Sequence, residues 1–314
     1  MDIGRRAFLG SLLAAVLVAS CGSGASPLPG AVPTPTPTAS PTATPVTVTD
    51  FQGRSVTIAA PPRRIVSIGA SNTEFLFALG AGDRVVGVDD FSDEPAAARE
   101  KEKVGGVQVN VERVVALRPD LVVTVLFSDG TIEKLAETTT VLVVDPQGLA
   151  DVAETAILLG RAVGADGERL AADIAAQLEA VRSRTAGLSP KPRVFHEVDA
   201  SDPAKPFTVG PGSFIHELIE IAGGVNVAAG AGSPYPQLSA EELVRSDPEV
   251  IVLGDADYGV TPEQVAARPG WGGIMAVRTG RIHPISGSLV SRPGPRVGEA
   301  AEAYARLLHP EAFR

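Results

Sequence analysis

One cysteine, four histidines and one tryptophan are spread over 314 residues, and aromatic residues make up only 4% of the chain. A lone cysteine excludes an internal disulfide framework and any cysteine-cluster metal site. His196, His216, His283 and His309 show no His-x3-His pairing, and a zinc-capturing chain usually brings more, often in a His-rich loop, so no metal ligands are assigned. Positive charge is also short. With 27 Lys and Arg against 37 Asp and Glu, the formal net charge of −10 gives nucleic-acid binding no electrostatic support. Catalytic signatures are missing too: Ser71 and Ser213 lie near glycines, but neither sits in a Gly-x-Ser-x-Gly elbow. A hydrolase triad gathered from distant positions stays open as an alternative. Gly80-Ala81-Gly82 closes a helix and precedes a strand, the reverse of a dinucleotide fingerprint, and reads as a helix C-cap.

The longest apolar run at the N-terminus, Ala7 to Ala19, has 13 residues. That is short for a bilayer core of about 30 Å and reads, behind Arg5 and Arg6, as the core of a signal peptide over residues 1–20. It ends in Val18-Ala19-Ser20-Cys21, which resembles a bacterial lipobox with Cys21 as the lipidated residue; the alternative is an ordinary signal with a chance cysteine. The paired arginines fit twin-arginine and general export alike. Residues 21–46 are dominated by Gly, Ser, Ala, Pro and Thr, carry no charge, and read as an extended tether. At roughly 3 Å per residue it reaches up to about 75 Å. The expectation is an extracytoplasmic body leashed through lipid to the outer face of a membrane.

From Val46 the pattern turns globular. A small hairpin, Val46–Thr49 with Ser55–Ile58, precedes buried-strand runs at Arg64–Ile68, Val85–Val88, Leu121–Val125 and Val141–Val144, with helices between them. Continuous Val/Ile/Leu strands separated by helices imply parallel sheets covered on both faces. The same grammar restarts at Arg193–Phe195 and continues through Val250–Leu253 and Arg281–Ile285 to a closing helix over Val297–Leu308. Between the halves, Asp166–Leu188 spaces Leu170, Ile174, Leu178 and Val181 along one helical face. By itself this is either a surface helix or a spine, and the repeated grammar on its two sides favours the spine. The organisation is then an N-terminal lobe over 47–165, a linking helix over 166–188 and a C-terminal lobe over 189–314. An internal echo supports two related lobes: Glu112 to Val123 aligns with Glu242 to Val252 as helix, proline turn and strand.

Arg64–Glu74, Val86–Asp93, Asn110–Asp120, Pro206–Gly210 and Tyr235–Ser239 resemble the class III periplasmic binding proteins of metal-chelate ABC importers, nearest to their cobalamin-binding branch. The resemblance runs from about Val46 to the end. It implies an α/β fold of two Rossmann-like lobes joined by a single long rigid helix, with the ligand in the cleft between them and no catalysis. It implies no cofactor besides the captured chelate: cobalamin, or alternatively a ferric siderophore or haem. The expected partners are an ABC permease with its ATPase subunits, the small-molecule chelate and, through the anchor, a membrane; the protein is expected to be a monomer. Phe91, Phe207 and Tyr235 stand where the family lines its cleft with aromatics, Phe127 lies close to a fourth such position, and Arg292 and Arg296 suggest room for an anionic ligand. Permease docking falls by resemblance on Glu112 and Glu241, with Glu242 as a neighbouring candidate. His196 reads as a solvated strand-end histidine or a ligand contact, and Trp271 as packing.

Overall fold

A computed structural model describes residues 44–313. Residues 1–43, which hold the expected signal peptide, Cys21 and nearly all of the tether, lie outside the described residues.

Val46–Thr49 (β1) and Ser55–Ile58 (β2) pair as the antiparallel hairpin. Its turn is held by buried Asp50, which accepts from the backbone N–H groups of Gln52 and Arg54 at 3.0 and 2.9 Å. The first lobe follows as Ile65–Ser67 (β3), Ala70–Ala78 (α1), Val85–Val88 (β4), Glu102–Lys103 (β5), Val111–Ala116 (α2), Leu121–Thr124 (β6), Thr131–Ala136 (α3) and Thr140–Val143 (β7). These strands make a five-stranded parallel sheet in the order β5-β4-β3-β6-β7. Leu149–Val163 (α4) and Gly167–Thr185 (α5) come next. The second lobe comprises Arg193–Glu197 (β8), Phe214–Ile221 (α6), Val225–Asn226 (β9), Ala240–Ser246 (α7), Val250–Leu253 (β10), Pro262–Ala266 (α8), Met275–Thr279 (α9), Ile282–Pro284 (β11), Gly287–Val290 (α10) and Val297–Leu308 (α11). Its four-stranded sheet, ordered β11-β10-β8-β9, is parallel throughout. The elements without a sequence signal, β5, β9, α9 and α10, have two to five residues each, too few for a periodicity to register.

Each sheet sorts its side chains by the two-residue repeat of a strand. In the first lobe Ile65, Leu121, Val123 and Leu142 point into one core, and Val66, Val122, Val141 and Val143 into another on the opposite face. In the second, Val194, Val250 and Val252 share the first of these cores, while Phe195, Ile251, Leu253 and Ile282 enclose a third with Trp271. One apolar core therefore runs unbroken through both lobes, by way of α4, α5, α6 and α11.

Asp166 caps α5 by accepting from the N–H of Arg169 at 2.9 Å, and Glu168 at the start with Arg182 and Arg184 at the end suit the helix dipole. The helix stops at Thr185, three residues short of the sequence expectation, because Leu188 turns back to donate to the Thr185 carbonyl at 3.0 Å. It packs on α4 along one side and on α11 and α6 along the other. Contact with α4 is backbone to backbone at its start. A Cβ on Gly167 would stand 2.2 Å from the Ala156 carbonyl oxygen, and one on Gly160 would stand 2.5 Å from Gly167 Cα, so only glycine permits this corner.

The internal echo holds at the level of single hydrogen bonds, with a register one residue different from the sequence alignment at its start. Asn110 and Ser239 both cap their helices, accepting from Arg113 and Glu242. Arg118 and Asp247 are the two non-glycine residues with positive φ among the described residues, at +49° and +43°, each followed by proline. Asp120 then accepts from Arg64 N at 2.9 Å, and Glu249 from Arg193 N at 2.9 Å. Both arginines reach back to the end of the helix, Arg64 Nε to the Leu117 carbonyl and Arg193 Nε to that of Asp247, each at 2.9 Å. Glu112 is therefore equivalent to Glu241, not to Glu242.

Candidate functional site

In an open parallel sheet, ligands meet the carboxyl ends of the strands, where the loops converge. Here the carboxyl ends of both sheets open onto one cavity of about 610 Å³. The first lobe supplies Ser71 at the start of α1, Asp90 and Phe91 after β4, Val125 after β6 and Asp145 to Gln147 after β7. The second supplies Phe214 at the start of α6, Tyr235, Gly254 to Tyr258 after β10 in part, and the Gly287 to Pro293 segment. Phe91 is held out by Asp89, whose Oδ1 accepts from the N–H groups of Phe91 and Ser92 at 2.8 Å each and whose Oδ2 accepts from Gly69. Tyr258 is carried by a one-turn 3-10 helix, beside Asp257, which accepts from Gly287 N at 2.8 Å.

Of the five expected ligand contacts, the fold brings Phe91, Tyr235 and Arg292 together around this cavity. Phe127 and Phe207 are not among its lining residues. Phe127 is half-buried against the first lobe's second core. Phe207 is exposed, on a short strip whose backbone bonds to Asp199 and Gln237 as isolated bridges. Tyr258, 88% exposed and in the wall of the cleft, was missed. With so few aromatics in the chain its identity was a signal, but its position depends on strand β10 ending at Leu253.

The charge of the site also differs from expectation. Arg292 and Arg296 are committed to protein carboxylates across the lobes. Buried Glu74 of α1 takes both: Arg296 through Nε and Nη2 at 2.7 Å each, and Arg292 through Nη1 at 3.1 Å. Arg292 also pairs with Asp93 at 2.7 Å and donates to the Phe91 carbonyl at 3.0 Å. Burial raises the Asp93 carboxyl, but the Arg292 hydrogen bond and charge outweigh it and hold Asp93 below the usual carboxylate range. Asp90, Asp93, Asp145 and Asp257 line the cavity against this one arginine. Burial pushes Asp145 up and keeps the Tyr235 phenol protonated beyond its ordinary range. Carboxylates therefore outnumber cations in the lining. Among the described residues no three His, Cys, Asp or Glu side chains converge as metal ligands.

His196 is buried, not solvated. It is 1% exposed, its Nδ1 lies 2.8 Å from the Tyr304 hydroxyl, and burial pushes its pKa down to about 3. Trp271 is packing as expected, 1% exposed and edge-on to Phe195. Ser213 caps α6 through its Oγ and donates to the Gly210 carbonyl, so it is no nucleophile candidate.

Residues 65–286 match the periplasmic binding protein family. The chain belongs to that family. Among relatives of this binding protein is the ABC transporter substrate-binding lipoprotein YvrC of Bacillus subtilis, 32% identical over 96% of both chains. Another is a cobalamin-binding protein of Halobacterium salinarum, 31% identical over 84% of this chain and 74% of that one. A solved structure of similar fold is the periplasmic haem-binding protein RhuT of Roseiflexus sp. RS-1, with 27% identity, a TM-score of 0.72, and cover of 80% of this chain and 99% of that one. A periplasmic binding protein works outside the cytoplasm and holds its substrate without transforming it. On this one, Glu112 and Glu241 occupy matching exposed positions in the first turns of α2 and α7, each free of hydrogen bonds and ion pairs among the described residues. Glu242 is engaged instead: its carboxylate accepts from the N–H and hydroxyl of Ser239, which lowers its pKa.

Proposed function

We propose that this protein is the lipid-anchored, monomeric substrate-binding subunit of an ABC importer, and that its ligand is a large uncharged or cationic metal chelate of the cobalamin class. The observation that carries the choice of ligand is the cleft itself: aromatic groups from both lobes surround a cavity whose free charges are aspartates. A corrin presents flat apolar faces for stacking and carboxamide side chains that hydrogen-bond without bringing negative charge. Haem and the catecholate or carboxylate ferric siderophores bring negative charge, and Arg292, the cation among the described lining residues, is already paired with Glu74 and Asp93. Phe91, Tyr235 and Tyr258 are the stacking groups in this reading, with Phe127 and Phe207 at the periphery and Arg292 as the strut that holds the Phe91 loop. Calorimetric titration with cobalamin, haem and an anionic ferric siderophore tests it. Stoichiometric binding of cobalamin with weak or absent binding of the other two is expected; the reverse order overturns the reading.

Delivery requires a permease, and Glu112 and Glu241 are proposed to dock on its cationic groups, one per lobe. Exposed charge pairs of this kind orient a complex more than they tighten it. Glu112→Ala combined with Glu241→Ala should leave the affinity for ligand unchanged and lower uptake by cells or proteoliposomes several-fold. A loss of ligand affinity would refute the docking role.

A further inference from the structure

A second cavity, of about 220 Å³, is lined by residues of the C-terminal lobe. Its walls are His196, Val198, Ile215, Tyr235, Gly254 and Ser291, and three of these, Tyr235, Gly254 and Ser291, also line the main cleft. The two spaces therefore share a boundary at which a bound molecule could extend from one into the other. Among the described residues no charged side chain lines this cavity, and Val198 and Ile215 make it largely apolar. The polar side chain in its wall that is almost fully buried is His196. The Tyr304 hydroxyl engages Nδ1, whereas Nε2 has no hydrogen-bond partner among the described residues. Nε2 lies against Gly254, where a Cβ would stand 2.6 Å away. Glycine is what leaves this nitrogen uncovered by a side chain. A polar nitrogen that has no partner in the protein and faces a cavity can be paired by a ligand that enters it.

We infer that this cavity is a side subsite of the cleft, which takes an uncharged, ring-sized substituent of the ligand and satisfies His196 Nε2 with a polar atom carried on that substituent. Size supports a ring in particular: an apolar cavity of about 150 Å³ accommodates benzene, and 220 Å³ leaves room for a bicyclic heterocycle. Charge supports a neutral one, since burial keeps the imidazole uncharged through the physiological range. The inference rests on the cobalamin-class reading above, because a corrin with a heteroaromatic base is a ligand that has such a substituent. It goes beyond that reading by stating which part of the ligand enters the C-terminal lobe.

The test compares cobalamin with cobinamide, the same corrin without the nucleotide loop that carries its benzimidazole base, on the wild-type protein and two variants. Ser291 is exposed at the shared boundary, so Ser291→Phe plugs the opening without entering the core. His196→Phe keeps a ring in place and removes the free nitrogen. On the wild-type protein cobalamin should bind about tenfold or more tighter than cobinamide, the effect of removing one ring-sized group from water. Ser291→Phe should bring the two affinities together by weakening cobalamin more than cobinamide. His196→Phe should lower the ratio in the same direction. Failure of both corrins to bind the wild-type protein would refute the ligand class. Binding of both with equal affinity, or a ratio unchanged in either variant, would overturn the subsite and leave the ligand class standing. Equal weakening of both by Ser291→Phe would also overturn it, since the cavity would then not act separately from the cleft.

Discussion

Tyr258 stands 88% exposed in a chain with 4% aromatics, on a tight turn anchored through Asp257 to Gly287. An exposed phenol ring on the wall of an open cleft is costly to hydrate and gains by stacking, worth about 1–2 kcal/mol for one face of the ring. Tyr258→Ala should therefore weaken ligand binding roughly tenfold, whereas Tyr258→Phe, which keeps the ring, should stay within about twofold. Equal losses in the two variants, measured by calorimetry, would assign the hydroxyl and not the ring as the contact. His196 makes a separate prediction about pH. Its folded pKa is pushed down by burial to about 3 from an ordinary value of 6.5. Between those values the unfolded chain binds a proton that the folded chain refuses, so stability falls as pH is lowered through this window. Asp255 works in the opposite sense. Burial first, and then the charge of Glu197, raise its carboxyl to about 6, so its contribution is present below pH 3.8 and is lost as pH rises through about 6. In Asp255→Asn the opposing contribution is gone, and the unfolding midpoint should drop steadily from pH 6.5 towards 4. Adding His196→Phe with Tyr304→Phe should flatten that slope, and an unchanged slope would exclude the imidazole as the linked group.

Among the elements, the corner between α4 and α5 is where packing leaves least freedom. Gly167→Ala places a methyl 2.2 Å from the Ala156 carbonyl oxygen, closer than any real contact, so one helix must shift. Overpacking of this kind destabilises by about 1–3 kcal/mol, and the loss should appear in urea unfolding with an unchanged slope. An unaffected midpoint would mean that the helices slide apart freely. The elements themselves were well marked in the sequence. Hydrophobic runs located all the longer strands, and Asp166, where the linking helix was expected to begin, caps it through its side chain. The echo between α2–β6 and α7–β10 was visible as well, but its register was one residue out at the glutamates. The positive-φ residue before each proline sets that register, and no composition or periodicity reports a dihedral angle.

At the scale of the whole molecule, α5 is better described as part of a shared core than as a bare rod between two bodies. Side chains from both sheets enter the same apolar core around it, and Glu74 ties the lobes again through Arg292 and Arg296. A large rotation of one lobe would shear that core and break a buried ion pair, and breaking such a pair alone costs about 3 kcal/mol or more. Closure on ligand should therefore be slight. Small-angle scattering should show a radius of gyration within about 1 Å in the ligand-free and ligand-bound forms, far less than hinge-closing domains display. A marked compaction would contradict the shared core.

The sequence by itself determined the class of fold, the paired lobes, the helix between them and the family, because hydrophobic period, breakers and local motifs are written in residue order. It also marked Phe91 and Tyr235 as cleft residues. Tertiary structure decided what the cleft is made of. It turned Arg292 and Arg296 from free cations into partners of Glu74, added Tyr258, removed Phe127 and Phe207 from the lining, and buried His196 beside a second cavity. Each of those outcomes depends on groups up to 222 residues apart meeting in space. The charge and exposure of a side chain are set by what it meets there.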